Sequence, residues 1–441
     1  MNYNQAMDYM DSLKKYGSVP GLDTVRLLCE KTGNPQDRLS FVHIAGTNGK
    51  GSVLAFISAI MKAAGYRTGS YCSPSFLEYR DRFRVNGRIM SRADFAAGVE
   101  QMRVACQEIA AQGHPHPTQF EVDTALAFHY FDQKKCRIVI LETGMGGRQD
   151  ATNIINNTLA AVFTPIGMDH MQYLGSTPAA IAREKAGIIK KNSRVICAMQ
   201  SNEVIKQLTE ACKESGNTLI KVTDQDITAV RYGLKSQRFS YRGMKNLEIT
   251  MTGNYQIENG ALALAAVHSL SDLGFPVPEN KLRQGLKDAV WPGRFQVIGR
   301  KPYFLVDGAH NRDGAEKLAQ SIQFHFTNKK IVYIMGVLAD KEYNEVIART
   351  YKFARQIITC TPQGQPRALP AYELAQAVSR YHDSVTAADS LEEAVELSYL
   401  LAGPDSVIIA FGSLSYLGDI SRIVENRHII RSDVHGKSGK N

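Results

Sequence analysis

The sequence predicts two α/β domains, a larger one over residues 1–296 and a smaller one over 297–441. Three observations carry this reading. Apolar, strand-like runs alternate with stretches of helical spacing, the pattern of a mostly parallel sheet covered on both faces. The alternation breaks at "VWPGRFQVIGRKP", with Pro292, Gly293, Gly299 and Pro302, and then restarts. The chain, at 441 residues, is too long for one ordinary core.

The elements follow in order. "LSFVHIAG" reads as a buried strand ending in glycine. "GSVLAFISAIMKAAG" then places Val53, Leu54, Phe56, Ile57, Ile60, Met61 and Ala64 at helical spacing, with Gly65 as the stop. "RIVILETG", "LAAVFTPIG" and "RVICAM" are further strands. "RFSYRGMKNLEITMTG" reads as an antiparallel hairpin turning near Gly243 to Asn246, and "QIENGALALAAVHSLSDLGF" returns to helix. Beyond the break, "YFLVDG", "KIVYIMGV", "QIITC" and "SVIIAFG" are strands, with helices expected near 313–325, 341–354, 371–380 and 390–402. Neither an internal repeat nor a low-complexity tract stands out, and the tail "RSDVHGKSGKN" is expected to fray.

Composition narrows the function. Apolar residues make up 44% and charged residues 22%, ordinary for a globular protein. No run of eighteen apolar residues suggests a membrane span, and the N-terminus lacks the pattern of a secretory signal. Seven scattered cysteines without a C-x-x-C fit reduced thiols in a cytoplasmic protein. The net charge of +9 suits anionic ligands, or simply a solvated basic surface. Nucleic acid is not the expected partner, since no basic-aromatic run or zinc-finger spacing occurs.

"HIAGTNGKGSV" sits between a strand and a helix, as a phosphate loop must. Glycines permit close backbone approach, the helix N-terminus offers N–H groups to phosphates, and Lys50 can reach the β- and γ-phosphates. The spacing departs from G-x-x-x-x-G-K-[ST], because Ile44 stands where glycine would and Gly51 follows the lysine. The plain alternative is a glycine turn capping a helix. Glu142, ending a strand in "LETGMGGRQDATN", suits Mg²⁺ beside phosphate or serves as a turn acid. Asp169 and His170 follow a third strand. Lys185 lies in the helix-like "IAREKAGIIKK", where a lysine is ordinarily solvated. In the second domain Asp307, His310 and Ser413 stand at strand ends, on the ligand-facing edge of an open sheet. Arg294, in the inferred linker, is placed to swing onto phosphate.

Taken together, "HIAGTNGKGSV", "CSPSFLEYRDRFRVNG", "FEVDTALAF", "LETGMGGRQDATN", "IGMDHMQYLG", "REKAGIIK", "QIENGALALAAV", "WPGRFQ", "LVDGAHN" and "FGSLSYLG" resemble the folylpolyglutamate synthase and dihydrofolate synthase family of the Mur ligase superfamily. The resemblance runs from residue 43 to about 418 and implies a Mur-ligase-like P-loop domain followed by a Rossmann-like domain. It implies a cytoplasmic, monomeric, ATP-dependent ligase that joins L-glutamate to a folate or dihydropteroate carboxylate through an acyl phosphate, with two Mg²⁺ ions and two domains closing to exclude water. By motif, Gly49, Lys50, Gly51, Ser52, Asn259, Arg294 and Asp307 would hold ATP. Ser73, Glu142 and His170 would ligate magnesium. Lys185 would be carbamylated. Lys50, Lys185, Asp307 and His310 would serve catalysis, and His310 and Ser413 would meet glutamate. The pterin would contact Gly21, Leu22 and Asp23, then Thr118, Gln119, Phe120 and Glu121, then Gln149, Asp150 and Ala151. Two positions depart from the family pattern: Arg312 replaces its proline, and Gly260 its alanine.

The alternatives are a Mur-type ligase for another carboxylate and a P-loop ATP-binding protein without ligase activity. A separate UDP-binding domain is not expected in the roughly forty residues ahead of His43.

Overall fold

The computed structural model describes residues 1–17 and 20–436, with side chains described up to residue 427. The chain forms two compact units. One comprises 1–230, 238–249 and 257–290, and the other 231–237, 250–256 and 291–441. The units are thus interleaved in sequence, a pattern that a single linear division at 296/297 does not express.

In the first unit, strands β1 (Phe41–Ala45), β2 (Thr68–Tyr71), β3 (Phe83–Val85), β4 (Arg88–Ile89), β5 (Ile138–Glu142), β6 (Thr158–Phe163), β7 (Arg194–Cys197) and β8 (Leu219–Lys221) form one sheet in the order β4-β3-β2-β5-β1-β6-β7-β8. From β2 to β8 every neighbouring pair is parallel, and at one edge β3 alone is reversed, antiparallel to both β2 and β4. β1 and β5 are buried along their whole length, as near-continuous Val, Ile and Leu runs require. Phe41, Tyr71, Val139 and Leu141 pack with helices Arg92–Ala111 and Gln119–Gln133. A separate core gathers Ala45, Ala161, Phe163, Val195 and Cys197 against helices Pro178–Ala186 and Asn202–Glu214. The helix after β1, Lys50–Ala63, buries Val53, Leu54, Phe56, Ile57, Ile60 and Met61, and Gly65 follows it in the left-handed region.

Strands β9 (Ile227–Arg231), β10 (Gln237–Tyr241) and β11 (Met244–Ile249) form a small sheet in the order β11-β10-β9. The hairpin expected here exists, but its turn falls at Arg242 and Gly243, both at positive φ, so the chain reverses in two residues. β9 is an addition that the pattern did not reveal. Its residues are mostly exposed and carry no apolar alternation.

The second unit contains β12 (Gln296–Arg300), β13 (Tyr303–Asp307), β14 (Ile331–Met335), β15 (Gln356–Thr359), β16 (Val385–Ala387) and β17 (Val407–Phe411), ordered β12-β13-β17-β14-β15-β16. All pairs are parallel except β12 with β13. The Pro/Gly-rich stretch is therefore not a free linker. It supplies an edge strand, where Pro and Gly disrupt least. Helices Arg312–His325, Tyr343–Thr350, Ala371–Val378 and Leu391–Leu401 fall where expected. The last helix, Leu414–Gly436, includes the first half of the tail expected to fray, and the remaining tail, 437–441, lies outside the described residues.

Candidate active site

The parallel register sets the first unit's site. Tyr71 lies opposite Leu141, Ile44 opposite Glu142 and Ala45 opposite Phe163. The turns that follow β2, β5, β1 and β6 therefore open side by side at one sheet edge. They carry Ser73, Glu142, the loop 46–50 and the segment Thr164–His170. In open α/β sheets this carboxyl edge is where ligands bind.

The phosphate loop owes its glycines to its neighbours. A Cβ on Gly46 would collide with the Thr164 hydroxyl, and one on Gly49 would lie 2.7 Å from Asn259 Oδ1. Both glycines also hold positive φ. Asn259 is thus packed against the loop, although far away in sequence. Helix Lys50–Ala63 starts immediately after Gly49, with Gly51 and Ser52 in its buried first turn, so its N-terminal dipole faces the loop. Lys50 Nζ folds back to the carbonyls of Gly46 at 3.2 Å and Thr47 at 3.3 Å, and stands 3.9 Å from Glu142 Oε1.

Lys185 overturns the expectation of a solvated helix lysine. It is 5% exposed, and its Nζ donates to the same Gly46 carbonyl at 2.8 Å. Burial, reinforced by the nearby Lys50 ammonium, lowers its pKa to about 7. The "GMGGR" turn holds the lysine there. A Cβ on Gly147 would lie 2.6 Å from the Lys185 carbonyl oxygen, and one on Gly187 2.5 Å from Arg148 Cα. The Arg148 N–H donates to the Glu184 carbonyl at 2.9 Å, and Asn153 Nδ2 donates to the carbonyls of Arg148 and Gly187. Two glycines thus let the turn and helix Pro178–Ala186 meet backbone to backbone.

His170 adopts a left-handed conformation ahead of the short helix Met171–Leu174, its Nε2 3.8 Å from Asp169 Oδ2. Thr47 ties this loop to the phosphate loop: its hydroxyl donates to the Gly167 carbonyl and accepts from the Gly167 N–H, both at 3.0 Å.

The proposed pterin contacts fall into linked groups. The Gly21 N–H meets the Gln149 carbonyl at 3.4 Å, and a Cβ on Gly144 would lie 2.5 Å from Phe120 Cζ, so the Phe120 ring covers the turn after β5. Leu22 precedes helix Asp23–Lys31, and the Asp23 side chain is 99% exposed. Thr118 and Glu121 form a reciprocal helix cap, and Gln119 donates to the Met10 carbonyl. Asp150 is buried and accepts N–H groups from Met145 and Thr152, with Ala151 buried beside it.

In the second unit Asp307 lies opposite Phe411, so the turns bearing His310 and Ser413 share one sheet edge. A Cβ on Gly308 would lie 2.6 Å from Leu414 Cδ2, confirming that these turns touch. Asp307 is 3% exposed. Its carboxylate accepts from the Tyr255 hydroxyl and from the Phe295 and Ala309 N–H groups, each at 2.8 Å. Burial raises its pKa, and the adjacent Arg294 guanidinium opposes that shift. Arg294 is no swinging linker residue: its guanidinium lies against Gly308, where any Cβ would strike it. His310 Nδ1 donates to the Gly308 carbonyl at 2.8 Å, and Ser413 Oγ lies 2.9 Å from Ser415 Oγ. Arg312, the departure from the family pattern, is exposed in the first turn of its helix.

Residues 44–267 match the Mur ligase middle domain, and residues 293–414 the Mur ligase glutamate ligase domain. The chain is 32% identical over 427 residues to the dihydrofolate synthase/folylpolyglutamate synthase of Bacillus subtilis, covering 95% of this chain and 98% of that one. The folylpolyglutamate synthase of Mycobacterium tuberculosis, complexed with ADP and AMPPCP, superposes with a TM-score of 0.88 at 29% identity, over 96% of this chain and 99% of that chain. The chain belongs to the folylpolyglutamate synthase and dihydrofolate synthase family of Mur ligases. E. coli FolC in complex with DHPP and ADP is a further structural match, with a TM-score of 0.84 at 28% identity, over 96% of this chain and 98% of that one. As a member of this family the protein is an ATP-dependent, amide-forming ligase.

Several residues of this ligase escaped the sequence reading. Tyr255, which holds Asp307, lies in "TGNYQIEN" with no local pattern to mark it. Gln200 bridges the Thr164 carbonyl and the Ile166 N–H in the segment that leads to His170. Asp123, fully buried, pairs with Arg82 and Tyr79. An acid in the apolar helix "FEVDTALAF" was a usable signal for it. Among the described residues no three His, Cys, Asp or Glu side chains gather into a metal cluster. One buried carboxylate, a hydroxyl and an imidazole suit a hard cation that takes its other ligands from phosphate and water. The set thus fits magnesium bound together with a nucleotide, and no helix among the described residues is long and apolar enough to cross a membrane.

Proposed function

We propose that this protein joins L-glutamate to the carboxylate of a folate or dihydropteroate, consuming ATP. The observation that carries the reading is the Lys50 ammonium set over the phosphate loop at the N-terminus of its helix, 3.9 Å from Glu142. A site that gathers positive charge so closely is built for a dense anion. A substrate carboxylate oxygen attacks the γ-phosphorus, the bond to the β-phosphate oxygen breaks, and an acyl phosphate and ADP result. The amine of glutamate then attacks the acyl carbon, phosphate leaves with the bonding electrons, and the amine's proton is lost to solvent.

In this scheme Gly49, Lys50, Gly51 and Ser52 hold the phosphates, and Asn259, Arg294 and Asp307 hold ATP. His310 and Ser413 receive glutamate. Phe120, with Gly21 to Asp23, Thr118 to Glu121 and Gln149 to Ala151, receives the pterin. Ser73, Glu142 and His170 would hold magnesium, which when bound neutralises phosphate charge. An amine with a pKa near 7 has enough neutral form to add CO₂. Carbamylation of Lys185 follows, and the carbamate would then pair with Lys50. The protein would act as a cytoplasmic monomer.

The test is phosphate release with ATP and L-glutamate, measured with dihydropteroate and with tetrahydrofolate in parallel. Release that depends on one or both pterins supports the reading and sorts dihydrofolate synthesis from tail extension. Hydrolysis indifferent to every pterin would leave only a nucleotide-binding protein.

A further inference from the structure

His43 stands in the middle of β1, three residues before the phosphate loop, and is 0% exposed. The mechanism above does not use it. Its Nε2 lies 2.9 Å from the Thr152 hydroxyl, and that hydroxyl lies 2.5 Å from Asp150 Oδ1. Asp150 also accepts N–H groups from Thr152 at 3.0 Å and Met145 at 2.7 Å, so its ionised form is the one the turn satisfies. An ionised carboxylate only accepts, and the Thr152 proton therefore points at Asp150. The hydroxyl oxygen must then accept from His43, which places the imidazole proton on Nε2. Consistently, among the described residues Nδ1 has no hydrogen-bond partner. Burial, aided by Lys190, lowers the imidazole pKa to about 3, so the ring is neutral and donates one proton only.

We infer that His43 is a positioning residue for pterin recognition: by fixing the Thr152 hydroxyl rotor it holds Asp150 as an oriented acceptor for the N–H groups of a pterin ring. The inference rests on the reading of Asp150 as a pterin contact. It gives a fully buried histidine in an otherwise apolar strand a task, and it links the strand that carries the phosphate loop to the carboxylate that would read the other substrate. A hydroxyl left without its donor can rotate away, and Asp150 then loses a charge-assisted bond in a buried setting.

The test uses the full-length enzyme. Long-range proton–nitrogen NMR on histidine-labelled protein should show His43 as the Nε2–H tautomer, assigned by its absence in His43→Leu. The Nδ1–H form would overturn the inference without reference to any substrate. In steady-state kinetics, His43→Leu and Thr152→Val should each raise the KM for the pterin about tenfold, as loss of one such bond predicts, while kcat and the KM for ATP stay within about twofold. The double variant should be no worse than either single one, and Thr152→Ser should restore the wild-type KM. An unchanged pterin KM in Thr152→Val, or an equal rise in the KM for ATP, would sink the proposal, whether or not His43→Leu folds. If the wild-type enzyme turns over no pterin, the ligase reading itself has failed, and the tautomer result still stands on its own.

Discussion

Replacing Lys185 with methionine should stabilise the protein while destroying its activity, and the gain should depend on pH. The amine is buried and its pKa falls from 10.5 to about 7. In the unfolded chain the lysine stays protonated up to about pH 10.4. Between these values the unfolded state binds more protons than the folded one, so wild-type stability rises with pH through that window. Below pH 7 both states are charged and the full burial penalty applies. At ~1.4 kcal/mol per pKa unit the penalty is about 4 to 5 kcal/mol at pH 6, and about 3 kcal/mol less by pH 9. Lys185→Met keeps the length of the side chain, removes the charge, and gives up one hydrogen bond worth about 1 kcal/mol. Its advantage over wild type should therefore be several kcal/mol at pH 6 and should shrink by about 3 kcal/mol at pH 9. Urea titrations followed by circular dichroism at the two pH values, in CO₂-free buffer so that Lys185 stays an amine, measure this directly. A stability difference that does not change with pH would refute the reasoning, because no buried amine would then be titrating.

Two further outcomes follow from the packing. Gly147→Ala should cost about 2 to 3 kcal/mol and reduce turnover, because the new methyl would press on the Lys185 carbonyl at 2.6 Å; thermal denaturation and phosphate release check both, and full activity would mean that the Lys185 helix moves without consequence. Tyr255→Phe removes one of the donors that oppose the raised pKa of Asp307, so the KM for ATP should rise about tenfold, and more steeply as the pH falls, whereas the KM for the pterin should not change.

Much of this arrangement was legible because it is written in local pattern. The strands around "HIAG", "RIVILETG" and "SVIIAFG" are continuous apolar runs, and buried parallel strands have no other way to look. The strand ends carrying Glu142, Asp307 and Ser413 followed from the same runs. What stayed hidden depends on contacts between distant residues. Lys185 reads as a surface lysine because its burial comes from Gly147 and Gly187, which matter only once the turn and the helix meet. Arg294 reads as a linker residue because Pro292 and Gly293 look like punctuation, yet β12 begins at Gln296 and pairs with β13. β9 has no apolar face to announce it, and His43 declares its oddity without its partner, which lies beyond the next hundred residues at Thr152.

The glycine contacts also bear on how such a sequence can drift over generations. Gly49 faces a side chain, Asn259. A shorter residue at 259 would relieve that contact, but Gly49 also holds a positive φ that its own backbone imposes, so a change at 259 alone does not free it. Gly147 and Gly187 face main chain, at the Lys185 carbonyl and the Arg148 Cα. No replacement of the partner's side chain can relieve that crowding. Among sequences that keep this fold, positions 49, 147 and 187 should therefore all resist change, the first for its backbone angle and the other two for the main chain they meet, while 259 is held only by a side-chain contact.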